Sequence, residues 1–186
     1  MRLWRVVSGM NLQSTDFELF DLAPQFAQDR AAIDTRWKDL QREVHPDKFA
    51  AQGAAAQRVA MQWSVRINEA YQRLKDPLKR AAYLCELHAA PVNADSNTAM
   101  PASFLMQQME WREALDDAVD IEDLEQISLQ VNTGKASVLQ KCEQLLDVQH
   151  DYAGAVQQVR ALMFIERFAR DVDARLDQME ATERGQ

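Results

Sequence analysis

The first half of the chain carries two stripes of apolar residues at helical spacing. One stripe runs through residues 30–44 in steps of four, three and four positions, which places its members on one face of a predicted helix. They are Ile33, Trp37, Leu40 and Val44. A second stripe predicts a helix over 56–75 and consists of Ala60, Trp63, Ile67, Ala70, Tyr71 and Leu74. Two amphipathic helices joined by a loop predict an antiparallel hairpin.

The loop between these helices opens with His45, Pro46 and Asp47. Pro46 disfavours helical backbone in the residue before it, so the first helix should end at His45 and leave the three residues exposed. Taken alone, these three residues most simply mark the end of the helix. In that interpretation Pro46 breaks the helix, Asp47 caps the next turn and His45 has no role of its own. Lys38 and Arg42 lie on the face opposite the apolar stripe and are predicted to be exposed.

Three further helical patterns follow in the second half. The first covers about 102–119, the second runs from Leu124 to Leu145 and the third covers about 153–180. The second pattern continues through Gly134, so it predicts one long helix with a weak point that costs about 1 kcal/mol relative to alanine. Three amphipathic helices with short connections predict a three-helix bundle.

Helical spacing also singles out apolar residues that should point away from this bundle. If Phe104 and Trp111 face the core, then Leu105, Met106 and Met109 face solvent. The surrounding residues are acidic: Glu110, Glu113, Asp116 and Asp117. An exposed apolar patch rimmed by charge is typical of a partner site, and methionine suits an adaptable one. The alternative is a misplaced core face, with these residues buried; periodicity alone does not decide.

The chain termini and connections carry weaker signals. Thr15 followed by Glu18 predicts a capping box and a short helix, which Pro24 should end. Residues 1–14 are basic and apolar, and are either a fragment of a targeting peptide or, more simply, an extension or a start codon upstream of the true Met10. Residues 88–101 are rich in helix breakers and polar residues, and predict a linker.

Composition narrows the class of protein. The chain of 186 residues suits one or two small domains, and five prolines and five glycines without alternating strand patterns indicate an all-α fold. No apolar run approaches the ~18 residues of a membrane span. Cys85 and Cys142 form no CxxC pair or disulfide framework, and are predicted to be buried thiols in a reducing compartment.

Charge separates the two halves. Residues 1–90 hold 13 Lys and Arg against 11 Asp and Glu, whereas residues 91–186 hold 8 against 18, so each half is expected to meet a different partner. The acidic second half argues against nucleic acid as a partner.

The carboxylates between Asp116 and Glu125 lack the Glu-x-x-His spacing of a helical metal site, so no metal or cofactor is expected. No nucleophile–base pair or phosphate loop is present.

Several motifs together resemble a known family. The His45-Pro46-Asp47 turn in a helical hairpin, followed by Leu74-Lys75-Asp76-Pro77 and Arg80-Ala81-Ala82-Tyr83, resembles a J-domain, the module that activates heat-shock ATPases of the DnaK/HscA class. A longer set of sequence segments is similar to the HscB family, the J-domain co-chaperones of iron–sulfur cluster assembly. It comprises Asp39-Leu40-Gln41-Arg42, His45-Pro46-Asp47-Lys48-Phe49, Ile67-Asn68 and Phe104-Leu105-Met106. The resemblance covers roughly residues 15–180.

The resemblance implies a J-domain over 15–87, a linker over 88–101 and a scaffold-binding three-helix domain over 102–186. It implies that the J-domain docks on the chaperone's nucleotide-binding domain and interdomain linker and triggers ATP hydrolysis. The residues implied are His45, Pro46, Asp47, Lys48, Arg42, Arg36 and Asn68, with Lys38 on the same basic surface. Val44 departs from the pattern, since J-domains often have tyrosine there.

The resemblance also assigns the second surface to an IscU-type iron–sulfur scaffold. The residues implied are Leu105, Met106, Met109, Glu110, Glu113 and Phe164. The expected function is that of a co-chaperone, not an enzyme, in the cytoplasm or alternatively the mitochondrial matrix. Two rivals are a general J-protein that delivers unfolded clients and an α-helical metalloenzyme.

Overall fold

The computed structural model describes residues 11–92 and 100–184, and every regular element in them is helical. The chain divides into two compact units, 1–84 and 85–186. No helix in the part of the chain that is described has the length and apolarity needed to cross a membrane. Because every regular element described is helical, the predicted all-α class is confirmed.

The first unit is built on the predicted hairpin. Its helices are α1 (Asp16–Phe20), α2 (Arg30–Val44), α3 (Ala54–Lys75) and α4 (Pro77–Leu87), with a 3₁₀ helix (Pro46–Gln52) between α2 and α3. α4 crosses into the second unit at Cys85. The apolar stripes of α2 and α3 are buried, apart from Trp37 and Tyr71, which are half-buried and stack with ring centroids 4.6 Å apart.

The start of α1 follows the predicted capping box. Thr15 Oγ1 accepts the N–H of Glu18 at 3.1 Å, and Glu18 Oε2 accepts the N–H of Thr15 at 2.8 Å. The predicted end is wrong, because α1 ends at Phe20 and not at Pro24. Asp21 adopts a left-handed conformation with φ of 55° and closes the helix, a conformation that aspartate tolerates better than most residues.

A buried carboxylate fixes α1 to the rest of the first unit. Asp16 is fully buried, and its two oxygens meet Arg66 Nη1 at 2.6 Å and Arg73 Nη1 at 3.0 Å. Its backbone N–H donates to Tyr83 Oη at 3.0 Å. Arg66 also donates to the Ser14 carbonyl at 2.9 Å, so the end of the predicted extension contacts α3, while residues 1–10 lie outside the described part. Burying a carboxylate is tolerable only when it is paired in this way.

The second unit contains the three predicted helices. They are α5 (Ala102–Asp117), α6 (Ile121–Glu143), which continues as a π-helical turn (Gln144–Val148), and α7 (Tyr152–Arg184). α6 runs unbroken through Gly134, as predicted. The buried faces of α6 and α7 pack together and form most of the core. They include Leu124, Ile127, Val131, Val138, Cys142, Val159, Leu162, Ile165, Phe168 and Val172.

The start of the predicted linker packs on α7. The His88 ring stacks on Tyr152 with centroids 3.7 Å apart. Arg160 is buried and donates from Nε and Nη2 to the Val92 carbonyl at 2.9 and 2.6 Å. Residues 93–99 lie outside the described part, so the linker boundaries stay a prediction.

Both cysteines are buried and unpaired with each other, as predicted. Burial raises the pKa of the Cys85 thiol to about 11 and that of Cys142 to about 12. Each thiol therefore stays protonated at neutral pH, which disfavours reaction and metal binding. The contribution of the two thiols to the free energy of unfolding is fully present below the ordinary thiol pKa of 9.0. It is lost as the pH rises from there towards the pKa values of the folded state.

We expect Asp16→Asn to lower the free energy of unfolding by about 1.5–3 kcal/mol, because a neutral amide cannot balance two guanidinium groups at a buried position. Urea unfolding followed by circular dichroism measures this. Asp21→Asn, at an exposed left-handed position that asparagine also tolerates, is the control and should change stability by less than about 0.5 kcal/mol. Equal stability of the two variants would contradict the role given to the ion pair.

Candidate functional site

The turn after α2 is organised by the histidine. His45 has φ of −57° and ψ of 126°, the extended backbone that Pro46 favours in the residue before it, so α2 ends at Val44. His45 Nδ1 then accepts the N–H of Asp47 at 3.3 Å, and the His45 carbonyl accepts the N–H of Lys48 at 3.0 Å. The predicted loop is therefore a capped 3₁₀ helix. Because Nδ1 accepts, this bond assigns the proton of the neutral ring to Nε2.

The turn presents its polar groups to solvent. The Asp47 side chain is 90% exposed and that of His45 is 57% exposed, with Asp47 Oδ2 3.6 Å from His45 Nδ1. Phe49, two residues on, is buried and anchors the segment to the hairpin. A carboxylate in this position can accept the paired N–H groups of an arginine from another molecule.

The predicted basic surface is brought together only in part. Lys38, Arg42 and Lys48 are exposed, and Arg42 pairs with Asp39 at 3.2 Å, a surface contact of little energetic weight. Arg36 is half-buried and precedes Lys38 by two residues, which turns it about 200° around the helix. Arg36 therefore faces away from Lys38 and Arg42 on α2, and its contact with a chaperone stays a prediction.

Asn68 takes part in a network that joins α2 to α3. Its Oδ1 accepts Trp37 Nε1–H at 2.9 Å and Gln41 Nε2–H at 2.7 Å. Gln41 also accepts from the Ser64 hydroxyl at 2.7 Å and donates to the Ser64 carbonyl at 3.1 Å. These bonds cross-link the hairpin one turn before His45. Sequence reasoning assigned no role to Gln41 itself, although Gln41 belongs to the family-like segment Asp39-Leu40-Gln41-Arg42.

The network continues along the outer edge of the hairpin. Tyr71 Oη donates to Asp34 Oδ1 at 2.9 Å, and Arg30 Nε lies 2.8 Å from the same oxygen. The hydrogen bond from Arg30 lowers the pKa of Asp34 and in turn raises the pKa of Arg30. The edge of the hairpin is thus held by polar and aromatic contacts in addition to its apolar core.

The predicted patch on α5 is exposed. Leu105 is 48% exposed, Met106 63% and Met109 62%, whereas Trp111 is only 4% exposed. The core face was therefore placed correctly, and the alternative of buried patch residues is excluded. Glu110 and Glu113 are also exposed beside the patch.

Phe164 of α7 lies beside the N-terminal half of α5. Its ring meets Phe104 edge to face with centroids 6.3 Å apart, and Phe164 is 37% exposed. The neighbouring Met163 is 41% exposed. Sequence reasoning did not select Met163, although it lies off the apolar stripe of α7 just as the patch residues lie off that of α5. Leu105, Met106, Met109 and Phe164 are called the apolar patch below.

Comparison with known proteins decides the family. The model of the HSCB C-terminal oligomerisation domain matches residues 100–173. The co-chaperone protein HscB homolog of Burkholderia multivorans is 46% identical over 174 residues, covering 92% of this chain and 99% of that protein. The chain belongs to the HscB family. Its role is therefore that of a J-protein co-chaperone in iron–sulfur cluster assembly. This role favours neither a general J-protein that delivers unfolded clients nor an α-helical metalloenzyme.

Solved HscB structures share the fold. The chaperone HscB from Vibrio cholerae superposes with a TM-score of 0.78 at 33% identity, covering 89% of this chain and 99% of that one. Human co-chaperone protein HscB superposes with a TM-score of 0.84 at 24% identity, covering 89% and 83%, and supports the fold alone. The predicted J-domain and C-terminal helical bundle are confirmed. The assignment of individual residues to partners stays a prediction.

We expect Asn68→Ala to lower the free energy of unfolding by about 1 kcal/mol, because two donors lose their acceptor while alanine partly compensates as a better helix former. Asn68→Asp keeps an acceptor oxygen at the same place and should retain most of the stability. Urea unfolding distinguishes the two. If Asn68→Ala were as stable as the parent, the network would not support the hairpin and a partner contact would be the better account of Asn68.

Proposed function

We propose that this chain stimulates ATP hydrolysis by an HscA/DnaK-class chaperone and delivers an IscU-type iron–sulfur scaffold to it. The observation that carries the proposal is the presence of two exposed surfaces of different chemistry in one HscB-family chain. One is the polar His45–Asp47 turn of the first unit, and the other is the apolar patch of the second. Each surface suits one of the two partners.

The His45–Asp47 turn suits the chaperone. Asp47 offers an exposed carboxylate for bidentate pairing with an arginine, and the assigned tautomer leaves His45 Nε2–H free to donate outward. Lys38, Arg42 and Lys48 supply positive charge that steers an acidic partner and adds mainly to the association rate. Arg36 and Asn68 have a lesser part in this surface, since Arg36 faces away from Lys38 and Arg42, and Asn68, although exposed, already accepts hydrogen bonds from Trp37 and Gln41.

The apolar patch suits the scaffold. Its two methionines can adapt to the shape of a partner, and Leu105 and Phe164 offer stiffer side chains for burial. Glu110 and Glu113 form an acidic rim that favours a partner with basic groups around its own apolar contact. The rim would set orientation, while burial of the patch would supply most of the affinity.

Holding both partners on one chain raises the effective concentration of scaffold at the chaperone without any new contact. In this proposal the chemical step occurs at the chaperone's nucleotide, so the chain needs no cofactor and catalyses no reaction itself. The bacterial relatives support a cytoplasmic location over the mitochondrial matrix.

The test is the steady-state ATPase rate of an HscA-class chaperone with its IscU-type scaffold, titrated with this protein. Asp47→Asn should reduce stimulation at least about tenfold at every dose, because the amide cannot form the charge-assisted pair. Leu105→Ala/Met109→Ala should stimulate normally without scaffold but lose the synergy that scaffold adds.

Two matched controls accompany these variants. Glu43→Gln removes an exposed acid two residues before His45, and Leu129→Ala removes a 67% exposed leucine from α6; both should behave as the parent. Normal stimulation by Asp47→Asn would contradict the proposed chaperone surface. Normal synergy in the α5 double variant would leave a J-protein whose client surface lies elsewhere.

A further inference from the structure

The helix that carries most of the apolar patch is held to the bundle at few points. Within α5, all of whose residues are described, Trp111 is the one buried side chain. Its ring stacks on Phe168 of α7 with centroids 5.8 Å apart. The Phe104–Phe164 contact is the other aromatic anchor of the helix. The position of α5 therefore depends strongly on where the Trp111 ring sits.

Gly134 of α6 makes room for that ring. A Cβ atom at Gly134 would lie 2.9 Å from Trp111 Cη2 and 3.2 Å from Cζ2. A contact of 2.9 Å is too short for two carbon atoms, so the ring would have to move. Glycine weakens a helix relative to alanine, and the close approach of the indole is what this glycine permits.

The ring and the patch belong to the same rigid helix but face different ways. Met109 precedes Trp111 by two residues, and so points about 200° around α5 from it. Phe164, in contrast, belongs to α7. Any shift of α5 caused by the ring therefore moves Leu105, Met106 and Met109 relative to Phe164. The spacing of the patch across the two helices therefore depends on the buried contact between Trp111 and Gly134.

The surroundings allow such a shift. A groove of about 850 Å³ lies beside the contact, between α5, α6 and α7, and Gln107, Lys141 and Gln157 are among its lining residues. Because this space is open, α5 can settle in a new position without unfolding the bundle.

We propose that Gly134 is a positioning residue for scaffold binding. By leaving space for the Trp111 ring, it keeps the α5 residues of the apolar patch in their place relative to Phe164 of α7. The inference rests on the proposed function of the patch. Gly134→Ala should leave the helix intact, displace α5 and weaken a surface that it does not touch.

The test measures binding of an IscU-type scaffold to the full chain by isothermal titration calorimetry. Gly134→Ala should weaken binding about fivefold or more, since the bound state requires the strained position of α5. In the Trp111→Phe background, where the ring lacks the atoms that clash, the same change should alter the dissociation constant less than about twofold. Asn132→Ala, at an exposed position of α6, is the control and should bind as the parent.

Two further readouts separate positioning from general damage. Stimulation of the chaperone without scaffold should be unchanged in Gly134→Ala, and its circular dichroism spectrum should retain full helix content. Parental affinity in Gly134→Ala, or an undiminished effect in the Trp111→Phe background, would overturn the inference. If Leu105→Ala/Met109→Ala binds scaffold normally, the proposed function of the patch fails instead, so the two failures are distinguishable.

Discussion

Everything presented by the first unit depends on one constraint, the fixed register between α2 and α3. The apolar stripes bring the helices together, but apolar packing alone tolerates sliding. The bonds among Gln41, Asn68 and Ser64 have direction and so set the register, one turn before the chain leaves the helix at His45. A short motif can then serve as a docking site because its support is rigid, while Asp47 itself remains solvated.

The second unit handles the opposite problem, an apolar surface that must stay in water. Its core is formed chiefly between α6 and α7, and α5 is attached through Trp111 and Phe104. Three apolar residues that α5 leaves exposed, Leu105, Met106 and Met109, form the apolar patch together with Phe164 of α7. The acidic residues around the patch, within a half that holds 18 Asp and Glu against 8 Lys and Arg, favour solubility and discourage association of like chains. Thus α6 and α7 form most of the core, whereas α5 carries most of the apolar patch.

Local signals predicted much of this, and contacts between distant residues account for what they missed. Periodicity and Pro46 placed α2 at 30–44, and the same arithmetic predicted that Met109 would be exposed. No local signal distinguished Asp16, because its arginine partners lie 50 or more residues away in the sequence. Gly134 looked like a weak point because its neighbour, Trp111, is on another helix. The family resemblance placed Arg36 on the basic surface, although its direction on the helix differs from those of Lys38 and Arg42.

The central claim is that the chaperone surface and the scaffold surface must act from one chain. Mixing tests it most directly: Asp47→Asn protein, with an intact patch, is combined in equal amounts with Leu105→Ala/Met109→Ala protein, with an intact turn. The account predicts that the mixture shows no scaffold-dependent synergy in the chaperone's ATPase rate, because neither chain brings the partners together. Restoration of parental synergy by the mixture would contradict it, since the two surfaces would then work without being joined.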